Sequence, residues 1–184
     1  ISATIGNLDE AANVLMGSDF AKTPVIVKAQ IDKKTEIETI IPKKIERFPW
    51  SGHLGLNLID QVMPLIDESN TTLLFTNTRS QTEIWYRGIL SKKPEYAGVM
   101  AMHHGSIDNN IRMWVEDALS AGKLKLVVCT SSLDLGVDFS PVDTIIQVGG
   151  PKGVSRFMQR AGRSGHTSGG LSRIYFVPTH SLEL

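Results

Sequence analysis

The chain has 184 residues, 41% of them hydrophobic and 21% charged, with 19 Lys plus Arg against 19 Asp plus Glu. That balance suits one globular domain with an appendage and excludes a disordered tail, a coiled coil and a binder that is strongly basic overall. No apolar run approaches the roughly 20 residues that span a bilayer, no secretory signal is visible, and one cysteine, Cys129, forms no internal disulfide, so a cytoplasmic protein with no membrane partner is expected.

The chain opens on Ile1-Ser2-Ala3-Thr4 without a methionine, as expected of a fragment or processed piece. Residues 8 to 17 read as a short helix ending at Gly17. Residues 24 to 30 and 35 to 42 read as two strands around the polar turn Asp32-Lys33-Lys34. The irregular stretch Phe48 to His53 looks like a joint, which predicts a lead-in over 1–47 and a main domain over 48–184.

From Leu54 the rhythm changes. Leu54, Leu58, Val62, Leu65 and Ile66 mark one face of a helix, and residues 72 to 76 form a short run of buried-strand type. Thr78 and Gln81 have capping-box spacing ahead of a helix carrying Ile84, Trp85, Ile89 and Leu90. A second apolar run covers 98 to 102. Asn109 or Asn110 then caps a helix whose predicted face is Ile111, Trp114, Val115, Ala118 and Leu119, closed by Gly122. Strands are predicted at 124–130, 143–148 and 172–177, with a helix at 154–159. Strands that are apolar on both faces and alternate with helices argue an α/β fold, a parallel sheet sandwiched between helices.

Ligands on such sheets bind beyond the carboxyl ends of the strands. The predicted exits are Thr76-Asn77-Thr78-Arg79, His103-His104-Gly105-Ser106, the stretch Thr130 to Asp138, and Gly149 to Gly153. Hydroxyls, amides, an arginine and helix N-termini on one edge make a phosphate-binding surface, although the same residues are also ordinary caps. Adjacent histidines on a strand face opposite ways, so no metal site is expected at His103 and His104. Packing is the expected role of Trp50 and Trp85.

Charge is unevenly distributed. Residues 101–150 hold three basic and six acidic groups, whereas residues 151–184 hold five basic groups and one acidic one, Glu183. Within the basic segment, Gln159-Arg160-Ala161-Gly162-Arg163-Ser164-Gly165-His166 sets two arginines one helical turn apart, with glycines that allow close approach. Such a pair can neutralise charge that builds on a transferred phosphoryl group.

These residues carry a resemblance. Ser2-Ala3-Thr4, residues 72 to 79, Thr130 to Phe139 and Gln159 to His166 resemble motifs III, IV, V and VI of superfamily 2 helicases, in the order and spacing of their second RecA-like domain. The stretches at 2–7, 48–55, 75–86, 103–106, 129–139 and 159–166 more narrowly resemble Lhr-type DNA helicases, in particular the bacterial ligase-associated DEXH-box group. The resemblance implies a RecA-like helicase C-terminal domain over 48–184, with 1–47 leading in from a preceding RecA-like domain. It implies an ATP-dependent, 3′-to-5′ DNA helicase of DNA repair, using ATP and Mg²⁺ held mainly by that preceding domain. The implied partners are DNA (a single strand or a 3′-tailed duplex), the preceding domain, and a ligase and a nuclease of a repair pathway.

By the same resemblance Arg163 is the leading γ-phosphate contact, with Arg160 and Gln159 beside it. Gly136 and Asp138 approach the nucleotide. Asn77, Thr78, Arg79, Thr130 and Ser131 meet the nucleic-acid backbone, and His104 or Gly105-Ser106 touches it as well. The chain has no Gly-x-x-x-x-Gly-Lys-Ser/Thr and no Asp-Glu-x-His, so alone it is expected not to hydrolyse ATP. His166 stands where many superfamily 2 members carry arginine. The alternative from another class is a non-catalytic RecA-like docking module, which would have no need for a glycine-spaced arginine pair.

Overall fold

The computed structural model describes residues 7–17, 25–27, 35–42, 55–134, 142–164, 172–180 and 183, divided between two units, Ile1–Asp32 and Lys33–Leu184. The first unit carries helix α1, Leu8–Met16. The Asn7 side chain accepts from the Glu10 N–H at 3.1 Å and donates to the Glu10 carboxylate at 3.0 Å, a reciprocal cap on the helix start. Gly17 ends α1 at φ 75°, a conformation that glycine adopts without strain. Val25–Val27 form no strand, and the rest of the strand expected at 24–30 lies outside the described residues.

The second unit is an α/β sandwich. Its strands are β1 (Thr35–Thr39), β2 (Thr72–Phe75), β3 (Met100–His103), β4 (Leu126–Cys129), β5 (Thr144–Val148) and β6 (Ser172–Val177), in spatial order β1-β6-β5-β2-β4-β3. Every pairing is parallel. Helices α2 (Ile59–Glu68), α3 (Arg79–Lys92), α4 (Asn109–Ser120) and α5 (Val154–Ala161) cover the sheet. The pleat sorts alternate residues to opposite faces. Leu74, Val128, Ile146 and Val148 pack with Val62 and Ile66 of α2 and with Trp85 and Ile89 of α3. Leu73, Phe75, Val127, Cys129 and Ile145 pack with Val115 and Leu119 of α4 and with Ala161 of α5. Both faces are therefore buried, which is why the strands read as continuous apolar runs. Trp85 lies wholly inside the first cluster, in the packing role expected of it.

β1 lies in the stretch expected as a strand and pairs in parallel with β6, Glu36 standing opposite Arg173 with an Nε to Oε2 separation of 3.9 Å. Its alternating charges suit an edge strand. Two local expectations change. The cap of α4 is neither Asn109 nor Asn110 but Asp108, whose carboxylate accepts from the Asn110 N–H at 2.9 Å. A negative charge at this end of the helix is doubly favoured, as an acceptor and by the helix dipole. The buried face of α4 narrows to Val115, Ala118 and Leu119, while Ile111 and Trp114 are 54% and 59% exposed.

Candidate functional site

The strand order sets the exits in a row: β6, then β5 with Gly149 and Gly150, β2 with Asn77 to Arg79, β4 with Thr130 and Ser131, and β3 with His104 and Gly105. Adjacent strands lie about 4.8 Å apart, so the exits crowd one edge. They are also tied to one another. Asn77 Nδ2 donates to the Gly150 carbonyl at 3.0 Å. The Thr76 N–H donates to the Cys129 carbonyl at 2.8 Å, and the Thr130 N–H to the His103 carbonyl at 3.1 Å.

Thr78 caps α3 by accepting from the Gln81 N–H at 3.2 Å, while Gln81 Oε1 accepts from the Asn77 N–H at 3.1 Å. The reach-back thus falls one residue earlier than in the usual capping box and fixes the Asn77 backbone. Arg79 opens the helix with its side chain 60% exposed. Its Nη1 donates to Ser106 Oγ at 3.3 Å and its Nε stands 3.7 Å from Glu83. Asn77, Thr78, Arg79, Gly105 and Ser131 are exposed on this edge, and Thr130 is half-buried.

The two histidines diverge. His103 is buried, with Nδ1 2.7 Å from Ser132 Oγ and Nε2 3.0 Å from Glu116 Oε1. Burial lowers its pKa, outweighing the carboxylate of Glu116, and Arg112 and His104 push the same way. His104, also buried, accepts at Nδ1 from the Ser106 N–H at 3.3 Å, and burial lowers its pKa as well. His104 therefore shapes the 104–106 turn from inside; the exposed atoms of that exit belong to Gly105 and Ser106.

Arg160 departs most from expectation. It is 2% exposed. Its Nε and Nη2 grip the Asp134 carboxylate at 2.7 and 3.2 Å, its Nη1 donates to Gln147 Oε1, and its guanidinium lies 4.5 Å from the centre of the Phe75 ring. All three guanidinium nitrogens are thus engaged within the fold. Arg163, half-buried at the end of α5, donates from Nη2 to the Asp134 carbonyl at 2.8 Å, and Arg156 Nε stands 3.4 Å from the Asp134 carboxylate. Asp134 therefore gathers three arginines. Gln159 is half-buried on the same helix. Gly162 continues the helical backbone at φ −63° and ψ −13°, where a Cβ would meet the Gln159 carbonyl at 3.2 Å. Gly136, Asp138 and His166 lie outside the described residues.

Asp134, Gln147 and Arg156 were not legible as site residues. One signal was present: the acidic excess of 101–150 complements the basic excess of 151–184. Glu183, the one acid of the basic segment, was also passed over. Its carboxylate accepts from the Gly150 and Thr179 N–H groups, both at 2.6 Å, and from Thr179 Oγ1 at 3.0 Å.

Residues 56–168 match the helicase conserved C-terminal domain. The chain belongs to that family. Within it the chain is of the Lhr type, in superfamily 2. It is 46% identical, over its whole length, to a Mycolicibacterium smegmatis Lhr helicase and probable uracil glycosylase, covering 14% of that protein. It is 37% identical over 90% of its length to the ATP-dependent helicase Lhr-Core protein 2 of Thermococcus barophilus, covering 20% of it. Among solved structures, the Mycobacterium smegmatis helicase Lhr bound to single-stranded DNA and AMP-PNP superposes with a TM-score of 0.81 at 30% identity, over 99% of this chain and 24% of that one. The chain thus spans about a fifth or less of the length of these relatives. The Lhr-type domain here has the RecA-like fold of helicase C-terminal domains.

Proposed function

We propose that this chain is the second motor domain of an ATP-dependent DNA helicase, reading a strand with its row of exits and contributing Arg163 to ATP held by a preceding domain. The observation that carries the reading is Arg163, anchored on the Asp134 carbonyl just past the end of α5. A guanidinium fixed at a helix end can answer charge that develops on a transferred phosphoryl group without reorganising. Arg160 becomes a positioning residue in this reading, and the contrast with a docking module rests on Arg163.

The Thermococcus barophilus relative is ATP-dependent by name, and the superposed Lhr was bound to single-stranded DNA. These support ATP as the fuel and DNA as the track. The 3′-to-5′ direction and a role in DNA repair with a ligase and nuclease follow from the family resemblance, and a cytoplasmic location fits the lone cysteine. Gly136 and Asp138 are the proposed nucleotide neighbours. Among the described residues no three His, Cys, Asp or Glu side chains converge. By the family resemblance, Mg²⁺ is assigned to the preceding domain. No described helix is long and apolar enough to cross a membrane.

The test is single-strand-stimulated ATP turnover. The full-length protein that carries this chain should turn over ATP and should lose that activity with Arg163→Ala, while residues 1–184 alone should show none. Turnover by the isolated chain, or full activity in the variant, would sink the reading.

A further inference from the structure

The exits of β5 and β6 form an anion seat. The Gly150 N–H and the Thr179 N–H converge with Thr179 Oγ1 and His180 Nε2 on one carboxylate, that of Glu183, at 2.6, 2.6, 3.0 and 3.2 Å. Burial raises the Glu183 pKa, but the N–H groups of Thr179 and Gly150 outweigh it and the carboxyl is held below its ordinary value. Two main-chain N–H groups, a hydroxyl and an imidazole are the donor set that the paired oxygens of a phosphate also take.

The seat is built in advance. Gln147 Nε2 donates to the Gly149 carbonyl at 2.8 Å. That carbonyl shares its peptide with the Gly150 N–H, so Gln147 fixes the N–H that enters the seat. Gln147 is itself buried and held by Arg160. On the other flank Asn77 fixes the Gly150 carbonyl. Glycine is needed on the rim: a Cβ at Gly149, whose φ is +70°, would meet Asn77 Nδ2 at 3.1 Å, and one at Gly150 would stand 3.0 Å from Glu183 Oε1. The seat lies in the row of exits beyond Asn77, and Lys152, exposed, follows two residues after Gly150.

We infer that this seat is a backbone-phosphate site for the nucleic-acid strand and that the Glu183 carboxylate is its built-in occupant, which the strand displaces. The inference rests on the DNA-tracking reading above. A displaceable internal anion sets a threshold: the strand gains this contact only where it outcompetes Glu183. The grip is thereby weakened uniformly, without regard to base sequence.

The experiment uses the full-length protein and a labelled single-stranded oligonucleotide, with affinity measured against salt for the wild type, Glu183→Gln and Glu183→Ala. Removing the occupant should tighten binding, by roughly threefold or more at low salt, and steepen the salt dependence by about 0.7 in log–log slope, the share of one phosphate on a single strand. Adding Thr179→Val to Glu183→Ala should remove the gain. Unchanged or weaker binding by folded Glu183 variants would make Glu183 a clamp and overturn the proposal. So would a gain for ATP with none for DNA, which would move the seat to the nucleotide. Hydrogen exchange on the unaltered protein gives a reading independent of variant folding. The strand should speed exchange around residue 183 while residues 149–151 stay protected; slower exchange in both segments would oppose displacement. Failure of the wild type to bind the strand would instead defeat the DNA-tracking reading itself.

Discussion

Arg160 and Asp134 form a buried two-point fork, Nε to Oδ1 at 2.7 Å and Nη2 to Oδ2 at 3.2 Å, that fastens the end of α5 to the exit of β4. The same carboxylate also faces Arg156, and the Asp134 carbonyl takes Arg163. The group nearest the proposed catalytic charge is thus held by an ion pair that is part of the core.

Arg160→Ala should therefore act as a core change. Removing Arg160 leaves the buried Asp134 carboxylate with Arg156 at 3.4 Å in place of the two-point fork and takes the donor from Gln147 Oε1, at a cost of about 3 kcal/mol, the low end for breaking a buried pair. For a chain of this size each kcal/mol is worth roughly 2–4 °C in Tm, so a fall on the order of 10 °C is expected. Arg160→Lys should not restore the loss, because an ammonium cannot make the two-point fork and the Gln147 bond together. In a double-mutant cycle with Asp134→Asn, the combined loss should fall well short of the sum of the two single losses. A Tm for Arg160→Ala within a degree or two of the wild type would refute the structural role.

Arg163→Ala should divide the two properties the other way. The side chain is half-buried and its Nη2 bond is to a carbonyl that keeps its place in the chain. Loss of one such bond is worth about 1 kcal/mol, so the fold should survive. ATP turnover by the full-length protein should fall by roughly 10³-fold or more if Arg163 meets the transferred phosphoryl group. The paired measurement is the Tm of the chain and the kcat of the parent, and a large Tm loss with modest kcat loss would reverse the assignment.

The fold was legible because strands β2 to β5 are apolar runs and each helix has a face, and the strand positions alone put the exits on one edge. The division of labour between Arg160 and Arg163 was not legible. Both arginines lie in one motif at helical spacing, and only the third dimension brings Asp134, Gln147 and Phe75 around one of them and leaves the other at the rim. Trp114 misled for a related reason. It completes a helical period, yet α4 packs on the sheet through Val115, Ala118 and Leu119, and Ile111 and Trp114 stand outside that cluster, exposed. β1 was legible as a strand but its partner was not, because β6, with which it pairs in parallel, begins more than a hundred residues later.

Acid should loosen the fold in two steps. Burial lowers the pKa of His103 and His104 in the folded state, whereas an unfolded histidine titrates near 6.5. Between the folded values and about 6.5 the unfolded chain therefore binds more protons. The stability from these neutral rings is complete above that pH and is lost as pH falls through the window. Glu116, Arg112 and Ser132 face His103, and Glu83 and Arg79 lie near His104; none reverses the sign. Asp67, through Lys93 and Tyr96, and Glu183, through its N–H donors against burial, lie below 3.8 and 4.5, so their loss follows at lower pH. Melting curves should show a first decline between pH 7 and about 5.5. A His103→Gln, His104→Gln double variant should be flatter in that window and unchanged below it. A wild-type Tm that is level from pH 7 to 5.5 would contradict the neutral, buried assignment.

Arg79 supplies the last prediction, because it is the arginine of the exit row that the fold least needs. Its side chain is 60% exposed, and its Glu83 pair at 3.7 Å is a surface i, i+4 contact of small worth. Arg79→Ala should therefore leave the melting temperature of the chain close to that of the wild type. Its Nη1 bond to Ser106 Oγ holds the guanidinium across the exits of β2 and β3, where a strand running along the row would pass. If it pairs with one phosphate, the full-length variant should bind single-stranded DNA more weakly at every sequence. Its salt dependence should flatten by about 0.7 in log–log slope, because one fewer counterion is released. Arg79→Lys should keep the charge, and hence most of the slope, while losing the two-point grip on the phosphate. Ser106→Ala should weaken binding by less than Arg79→Ala and leave the slope unchanged, because the hydroxyl orients the charge without carrying any. An Arg79→Ala protein with wild-type affinity and wild-type slope would remove the β2 exit from the proposed track.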